Sequence, residues 1–521
     1  MSNRSWKRII LGIIFLLLSI FYSVMFFQKA AFSDTMIFNI AHLKSLENIF
    51  SSPINFDYWN HSGSQINLFS PWLTILSGFI FLNTNISYGF ATYLTLITFL
   101  TFVSAYYYMK RFSKDTFESL LVSVIYTFSL NRFFQVFLEQ RIENYLVMIF
   151  LPMVYYGLFC FLKNKDWHLL TWGMLLVIWT SPYMAIAVLL TIILAIPLMI
   201  FSKTTHHWKY WGQLILNGLL LLGMTFLTTI GFIGPLFLKQ WQTKFRQAGI
   251  KNPNFVTMYQ NLNLSLMKQY LLLGILILLV LLLLLIFLKS NFSYKIILIE
   301  MIPLILSLFY RLKIPGIEVS RLYPALLGIL DLFLTIIVSR IIIMIFQETS
   351  SVWKLLLVIA FVSGLSLLVF EQAQQLNFKK TLSTSENVNY EKFVLDYHDH
   401  ASQIQPKFLA NGKKTKVTFY TKKSDYWIQY YNPKSVQLDL PIQRYDGYRV
   451  HLNNESVKVT TSKRQTLQLR THPGKNIIEI HSRYNLISIL LLLINLVGFI
   501  GLGYLSLKKF VWKTKKSSYN G

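Results

Sequence analysis

Long apolar segments with almost no charge constrain this chain more than any other feature of its sequence. Residues 9–27, 270–288 and 486–507 are each close to twenty residues long, which is enough to cross a hydrocarbon layer about 30 Å thick. Hydrophobic residues make up 54% of the 521 positions and charged residues only 14%, more apolar surface than one globular core can bury. The sequence therefore predicts a polytopic helical membrane protein.

The first apolar segment follows Arg4, Lys7 and Arg8, as the apolar core of a signal peptide would. Its apolar run is too long for a signal peptide, and no cleavage site of small residues follows it. We expect a retained span with the N-terminus in the cytoplasm. A single cysteine, Cys160, excludes an internal disulfide.

Lysine and arginine in the short loops predict the orientation of the spans. With both termini in the cytoplasm, most of these residues and the basic tail 508–516 lie inside, although the basic loop 233–269 then falls outside. The apolar stretch 71–81 is too short to cross and predicts an outer interfacial or re-entrant helix. About twelve spans follow, near residues 9–27, 87–109, 117–131, 144–163, 168–182, 184–202, 211–232, 270–288, 293–310, 322–346, 352–370 and 486–507.

Residues 371–484 follow a different pattern. Short runs rich in β-branched and aromatic residues alternate with turn formers such as Asn411-Gly412 and Asp446-Gly447, which predicts strands. The predicted strands are 416–420, 426–431, 435–440, 448–452, 457–461, 466–470 and 476–480. We expect an extracytoplasmic all-β sandwich between a helical domain, 1–370, with its outer loop 28–86, and a final span with a basic tail, 485–521.

Few acidic residues remain on the outer face of the predicted helical domain. They are Asp34, Glu47, Asp57, Glu139, Glu143 and Glu318, accompanied by Arg132, Arg141, Arg311, Lys313, Arg321 and His61. Each charge on a short outer loop has a simple alternative interpretation as a solvated cap. Their occurrence on several loops of one face favours a shared site.

The order of several short motifs resembles a known family. The motifs are Ser33-Asp34-Thr35, then Trp59, Gly63 and Ser70-Pro71, then Glu143 before Leu151-Pro152, then Glu318-Val319-Ser320-Arg321-Leu322, and finally Tyr445-Asp446-Gly447-Tyr448-Arg449-Val450 and Pro473-Gly474-Lys475-Asn476 before a closing span. Together they look like the bacterial YfhO-like membrane proteins and their relatives, including the family labelled "6-pyruvoyl-tetrahydropterin synthase related". Tyr448 stands where that family usually has Trp.

The resemblance implies a C-type (GT-C) glycosyltransferase fold in the cell membrane. The donor would be a polyprenyl-phosphate sugar, and the chemistry would occur at the outer face. Members with assigned roles glycosylate surface polymers such as lipoteichoic acid, so the acceptor would be an anionic cell-surface polymer or a glycolipid.

Sugar transfer from a lipid phosphate needs a base for the acceptor hydroxyl and cations for the departing phosphate. Asp34 is the predicted general base. Arg132, Arg141 and Arg321 are the predicted phosphate ligands, because guanidinium binds phosphate oxygens in pairs. The alternative for each arginine is pairing with a neighbouring glutamate or with lipid headgroups.

Other outer residues have predicted supporting roles. Glu143, the second catalytic candidate, would orient the acceptor or pair with an arginine. Asp57, Trp59, His61 and Glu318 are predicted sugar or acceptor contacts, although interfacial aromatic belts produce the same pattern. A divalent cation between Asp34 and either Asp57 or Glu143 is compatible with this pattern, but the spacing does not require one, and we predict no metal ligand.

Three charges within predicted spans, Glu300, Asp331 and Arg340, support a competing hypothesis. Ionisable residues at membrane depth often line transport pathways, so the alternative is a lipid-linked sugar flippase or a proton-coupled transporter. Arg340 also has a simpler interpretation, with its charge reaching the cytoplasmic interface. No P-loop, HExxH motif or sequential Cys/His metal motif occurs.

The predicted β region is basic. It carries 18 Lys and Arg against 10 Asp and Glu. Outside the cell an anionic polymer or membrane surface is a more natural partner than nucleic acid, and plain solubility is the simpler alternative.

Overall fold

The computed structural model describes residues 3–82, 85–201, 208–242, 291–309, 319–384 and 407–518. It is mostly helical, with a β-sheet domain near the C-terminus. The chain divides into two compact units. The first unit comprises Met1–Ala31, Ala91–Thr225 and Lys251–Thr384, and the second comprises Phe32–Phe90, Phe226–Ile250 and Ser385–Gly521.

The described residues contain sixteen α-helices. These are α1 (Asn3–Lys29), α2 (Asp34–Ser45), α3 (Ile66–Phe69), α4 (Leu76–Phe79), α5 (Ile86–Ser113), α6 (Thr116–Thr127), α7 (Leu130–Phe133), α8 (Ile142–Val147), α9 (Leu151–Asn164), α10 (His168–Ile178), α11 (Pro182–Phe201), α12 (Trp208–Gln242), α13 (Phe292–Phe309), α14 (Val319–Ile345), α15 (Ser351–Gln375) and α16 (Leu486–Ser518). A π-helical turn, Phe134–Glu139, follows α7.

Within the described part of the chain, eight helical segments are long and apolar enough to cross a membrane. They are Ser5–Lys29, Ile86–Ser113, Thr116–Glu139, Ile142–Asn164, Trp211–Leu238, Leu322–Ile345, Ser351–Gln375 and Leu486–Phe510. The shorter apolar helices His168–Ile178 and Pro182–Pro197 and helix α13 coincide with three further predicted spans. The span predicted at 270–288 lies outside the described residues.

The predicted span 117–131 is interrupted, and the stretch 71–81, predicted as an outer interfacial or re-entrant helix, is helical only in part. Helix α6 ends at Thr127, and helix α7 begins three residues later. The Ser129 hydroxyl caps α7 by accepting a hydrogen bond from the Arg132 amide at 3.2 Å. The stretch 71–81 contains only the four-residue helix α4 and the beginning of a 3₁₀ turn, so it is too short to cross. Glu371, counted with the β region from sequence, lies in helix α15.

Helices α9 and α10 of the first unit approach each other closely at two glycines. A Cβ atom on Gly157 would lie 2.7 Å from the Leu170 amide nitrogen, and one on Gly173 would lie 2.8 Å from Val154 Cγ2. Small residues at helix contacts let backbones pack tightly where water supplies no hydrophobic drive.

The C-terminal domain is a sandwich of two five-stranded antiparallel sheets. One sheet has the order β2-β1-β5-β9-β8 and the other β3-β4-β10-β6-β7. The strands are β1 (Phe408–Ala410), β2 (Lys413–Thr415), β3 (Thr418–Lys422), β4 (Asp425–Asn432), β5 (Gln437–Gln443), β6 (Tyr448–Leu452), β7 (Glu455–Ser456), β8 (Thr460–Thr461), β9 (Thr466–Arg470) and β10 (Gly474–Ser482). All seven predicted strands overlap observed ones, so the predicted β domain is confirmed.

The sandwich core includes residues from the distant segment 52–69. Inward-facing side chains of the strands, such as Tyr426 and Ile478, are fully buried, as alternation in a two-sheet core requires. Ile54, Phe56 and Phe69 are buried in the same cluster. Backbone hydrogen bonds continue the contact, since the Phe56 amide donates to the Lys423 carbonyl at 2.6 Å. The structure thus groups much of the outer loop with the sandwich.

Candidate functional site

Asp34 opens helix α2 of the second unit. The Ser33 hydroxyl accepts a hydrogen bond from the Met36 amide at 3.2 Å, which caps the helix. Asp34 is exposed and makes no hydrogen bond or ion pair with any described residue. A carboxylate in the first turn interacts favourably with the positive end of the helix dipole. Asp34 is therefore a solvent-accessible carboxylate that no other described group uses.

Asp57, by contrast, is engaged on both carboxylate oxygens. The Thr421 hydroxyl donates to Oδ1 at 2.9 Å and the Lys423 amide donates to Oδ2 at 2.8 Å. Both donors belong to the β3–β4 hairpin. The Lys423 ammonium also pairs with Glu47 at 2.7 Å. Asp57 thus holds the outer segment on the sandwich, and a cation bound by Asp57 would compete with these bonds.

Residues 59–61 form a turn with a left-handed backbone. The φ angles are 60° at Trp59, 54° at Asn60 and 54° at His61, and Gly63 follows at 65°. Non-glycine residues in this region cost about 1–3 kcal/mol each and persist only where surrounding structure fixes them. Here the Gln443 amide donates to the Ser62 carbonyl at 2.8 Å. Gly63 lies so close to the sandwich that a Cβ atom there would be 2.6 Å from the Tyr448 hydroxyl.

The side chains of this turn have different environments. Trp59 is 1% exposed and packs against Phe38 with ring centroids 5.3 Å apart. His61 Nδ1 lies 2.8 Å from the Phe56 carbonyl and 3.1 Å from the Thr421 hydroxyl. Because a carbonyl only accepts, Nδ1 carries a proton and donates it to the Phe56 carbonyl. The sugar-contact roles of Trp59, His61 and Asp57 stay predictions.

His42 lies in the same helix as Asp34 and is almost fully buried. Burial lowers the pKa of its imidazole to about 4, and a hydrogen bond with the Asn67 side chain opposes this only in part. His42 is therefore neutral near pH 7 and is a component of the fold.

Arg132 belongs to the first unit and is fully buried. Its guanidinium donates to the Tyr145 carbonyl at 3.3 Å and to the Thr98 hydroxyl at 3.1 Å. Its Nε has no partner among the described residues, and the Tyr22 ring lies 5.8 Å away. Arg132 thus organises the interior of the helical unit.

The acidic residues within the helices do not pair as one cluster. Asp331 accepts a hydrogen bond from the Ser129 hydroxyl at 2.6 Å. Arg340 pairs with Glu118 at 3.4 Å, and Tyr294 donates to the same carboxylate at 2.7 Å. Glu118, which lies near the start of the predicted span 117–131, is fully buried.

Glu300 lines a cavity of about 90 Å³ in the first unit. The lining is otherwise largely aliphatic and aromatic, with Tyr155 and Phe333 among it. Glu300 itself is 3% exposed. A carboxyl group facing an apolar cavity of this kind suits a proton-dependent or cationic guest.

The second predicted catalytic residue, Glu143, is half-buried in the first turn of α8, directly after the N-cap residue Arg141. Asn144 donates to Glu139 at 3.2 Å beside them. These residues and Arg132 belong to the first unit, whereas Asp34 belongs to the second. Arg321 lies in α14, and Glu318 falls outside the described residues.

A group that sequence reasoning missed lies on the outer face of the β sandwich. One ligand atom from each of His451, Glu479 and His481 lies within 4.8 Å of the others. Glu479 and His481 alternate on one face of β10, and His451 stands opposite Glu479 on β6. The only sequence signal was the spacing of two residues between Glu479 and His481, at the end of the predicted strand 476–480.

In the residues that the structure describes, the chain is mostly helical, with eight segments long and apolar enough to cross a membrane and a C-terminal β sandwich. No protein-family model and no curated protein matches it.

Proposed function

We propose that this protein is a membrane glycosyltransferase of the C-type class. It would move a sugar from a polyprenyl-phosphate donor to a surface acceptor, such as lipoteichoic acid or another wall polymer, at the outer membrane face. The observation that carries the proposal is that the Asp34 carboxylate is exposed and has no hydrogen bond or ion pair with any described residue. That carboxylate lies just after α1, whereas Asp57 and Glu47 of the same unit are held by Thr421 and Lys423.

In this mechanism Asp34 takes the proton of an acceptor hydroxyl as that oxygen attacks the anomeric carbon. The bond between the anomeric carbon and the phosphate oxygen breaks, and the polyprenyl phosphate leaves with the electron pair. A phosphate is already a good leaving group, so cations suffice to stabilise it. Of the predicted phosphate ligands, Arg132 is fully buried, and its guanidinium donates to the Tyr145 carbonyl and the Thr98 hydroxyl.

The β sandwich suits an acceptor that is both anionic and rich in sugars. Its surface is basic, and Tyr420 stacks on Trp427 with ring centroids 5.5 Å apart. Tyr420 is 61% exposed and Tyr431 is 73% exposed. Exposed aromatic faces bind sugar rings by apolar contact, while surrounding lysines attract phosphate.

The proposal requires the β sandwich to be extracytoplasmic and both termini cytoplasmic, with about twelve spans in a multi-pass arrangement. Reporter fusions test this sidedness. A phosphatase fused after Ser350 should be inactive, and one inserted at Asn411 should be active. The reverse pattern would overturn the orientation.

The direct test of the enzymatic proposal uses purified protein in detergent with a polyprenyl-phosphate sugar and lipoteichoic acid. Mass spectrometry should detect free polyprenyl phosphate and a sugar added to the polymer. Failure to consume any such donor, across hexose and amino-sugar donors, would refute the transferase.

The second candidate function is transport, and the cavity beside Glu300 favours it. A coupled transporter would take up a lipid-linked sugar or small solute in proteoliposomes under a proton gradient. Uptake that Glu300→Gln abolishes, without turnover in detergent, would support transport over transfer. We expect the opposite: turnover in detergent that Glu300→Gln leaves nearly intact.

A further inference from the structure

The outer face of the sheet β3-β4-β10-β6-β7 carries a row of four polar side chains across three adjacent strands. Asp425 on β4 stands opposite His481 on β10, and Glu479 on β10 stands opposite His451 on β6. All four side chains are partly exposed, so a small ion reaches them from solvent. Nothing in the proposed transferase reaction uses this row.

The contacts of His481 fix which of its nitrogens is available. Nδ1 lies 2.7 Å from an Asp425 carboxylate oxygen. Because a carboxylate only accepts, Nδ1 carries a proton and donates it to Asp425. In neutral His481, Nε2 therefore holds a lone pair. That nitrogen lies 3.9 Å from Glu479 Oε2, so two electron-rich atoms face each other at a distance too long for a hydrogen bond.

A cation between these two atoms removes that repulsion. We propose that His451, Glu479 and His481 form a binding site for a divalent transition-metal ion of the zinc type. Two imidazole nitrogens and one carboxylate oxygen are a ligand set that zinc accepts, and a three-ligand site keeps its fourth position open to water. The hard ions calcium and magnesium prefer sites built from oxygen ligands.

The ligand spacing is close to that of a formed site. Tetrahedral ligands about 2.0–2.2 Å from zinc lie about 3.3 Å from one another, and the three ligand atoms here lie within 4.8 Å. Partly exposed side chains on rigid antiparallel strands close such a gap by small rotations. Asp425 completes the arrangement, since a carboxylate that accepts the other imidazole proton orients a metal-binding histidine.

The competing occupant is a proton. Protonated His481 would bridge Asp425 and Glu479 as an ion pair without any metal. The two occupants differ in their dependence on His451, because a proton shared by His481 and its carboxylates does not need that residue. The protein should also bind one zinc ion at this site if the metal is the occupant, and none if the proton is.

The test uses the full-length protein in detergent, purified without a histidine tag and stripped with a chelator. Zinc binding is titrated against a fluorescent chelator. We expect His451→Ala and His481→Ala each to bind one zinc ion per protein fewer than the wild type. In the nearly isosteric Glu479→Gln, the affinity of the site for zinc should fall at least tenfold. Asp425→Asn should still bind this zinc ion, with an affinity about 10- to 100-fold lower.

Two matched variants separate this site from other histidines. His472→Ala removes an exposed imidazole from the same domain, and His398→Ala/His400→Ala removes two further histidines of the sequence. Both variants should still bind the zinc ion that the His451 and His481 variants lose. Zinc binding that is unchanged in all three cluster variants, or absent from the wild-type protein at micromolar free zinc, would overturn the proposal. Cobalt gives an independent readout, since its visible absorption should appear in the wild type and be lost in His451→Ala.

Discussion

The Thr421 hydroxyl donates a hydrogen bond to the Asp57 carboxylate at 2.9 Å, joining two residues 364 positions apart in sequence. The Lys423 amide donates to the other oxygen of the same carboxylate. One aspartate therefore fixes the outer segment after α2 to a hairpin of the C-terminal sandwich. Asp34 and the basic β domain belong to the same compact unit.

Replacing Asp57 should destabilise the protein more than replacing its exposed neighbour. Asp57→Ala leaves the Thr421 hydroxyl and the Lys423 amide without their acceptor, which costs about 1–3 kcal/mol. Glu47→Ala removes only an ion pair with both side chains more than 40% exposed, and such pairs contribute about 0–1 kcal/mol. Thermal unfolding of the detergent-solubilised protein compares the two. Equal melting temperatures for the variants would contradict the structural role of Asp57.

Gly63 should not tolerate a side chain. Gly63→Ala combines a φ of +65° with a Cβ atom 2.6 Å from the Tyr448 hydroxyl, so we expect a loss of about 1–3 kcal/mol. Tyr448→Phe removes that hydroxyl, which is buried without a partner among the described residues, and should recover part of the loss. Gly12→Ala is the matched control, because its Cβ would meet nothing within 4 Å. Independent, additive effects of the Gly63 and Tyr448 changes would argue against the contact.

The sequence predicted where most strands lie, but not which distant segment packs against them. Alternation in runs such as 426–431 and 466–470 marks strands directly, because one face of each is buried. Strands β1, β2 and β7 were missed, since two or three residues are too few to show a period. The burial of Ile54 and Phe56 in the sandwich was not predictable, because nothing local in 52–69 specifies a partner more than 350 residues away.

The environments of several candidate residues could not be predicted from the sequence either. The serine before Asp34 is a typical helix-start residue, but the exposure of the Asp34 carboxylate was not predicted from the sequence. The burial of Arg132 was not predictable, since its partners are a backbone carbonyl and the Thr98 hydroxyl. The pairing of Arg340 with Glu118 was missed because the helix bundle, not sequence spacing, brings them together.

Acid should destabilise the second unit through His42. Its folded pKa of about 4 is below the ordinary value of 6.5, so the unfolded chain binds the extra proton between these values. Stability is therefore full above about pH 6.5 and falls as the pH drops towards 4, by up to about 3 kcal/mol from this group. Unfolding measured at pH 7.5 and 4.5 checks it. In His42→Gln this acid-dependent loss should shrink, and an unchanged pH dependence would exclude His42 as its source.

Arg132 and Arg141 should separate stability from transfer. Arg132→Lys loses one of two buried hydrogen bonds and should lower stability by about 1–3 kcal/mol. Arg141→Lys, at a half-buried helix N-cap, should leave the melting temperature nearly unchanged and reduce sugar transfer through weaker phosphate binding. Donor titrations should show the Arg141 effect mainly in KM. A stable Arg132→Lys variant, or full transfer by Arg141→Lys at low donor concentration, would reverse these assignments.

The most direct test of the account is the rate of sugar transfer by purified Asp34→Asn protein. The amide keeps the shape of the side chain and loses its basicity, so transfer should fall by about 10² to 10⁴ while donor binding and melting temperature stay near those of the wild type. Glu47→Gln, which neutralises another carboxylate of the same unit, should retain wild-type transfer. Transfer by Asp34→Asn at the wild-type rate would contradict the proposed role of Asp34 as the general base.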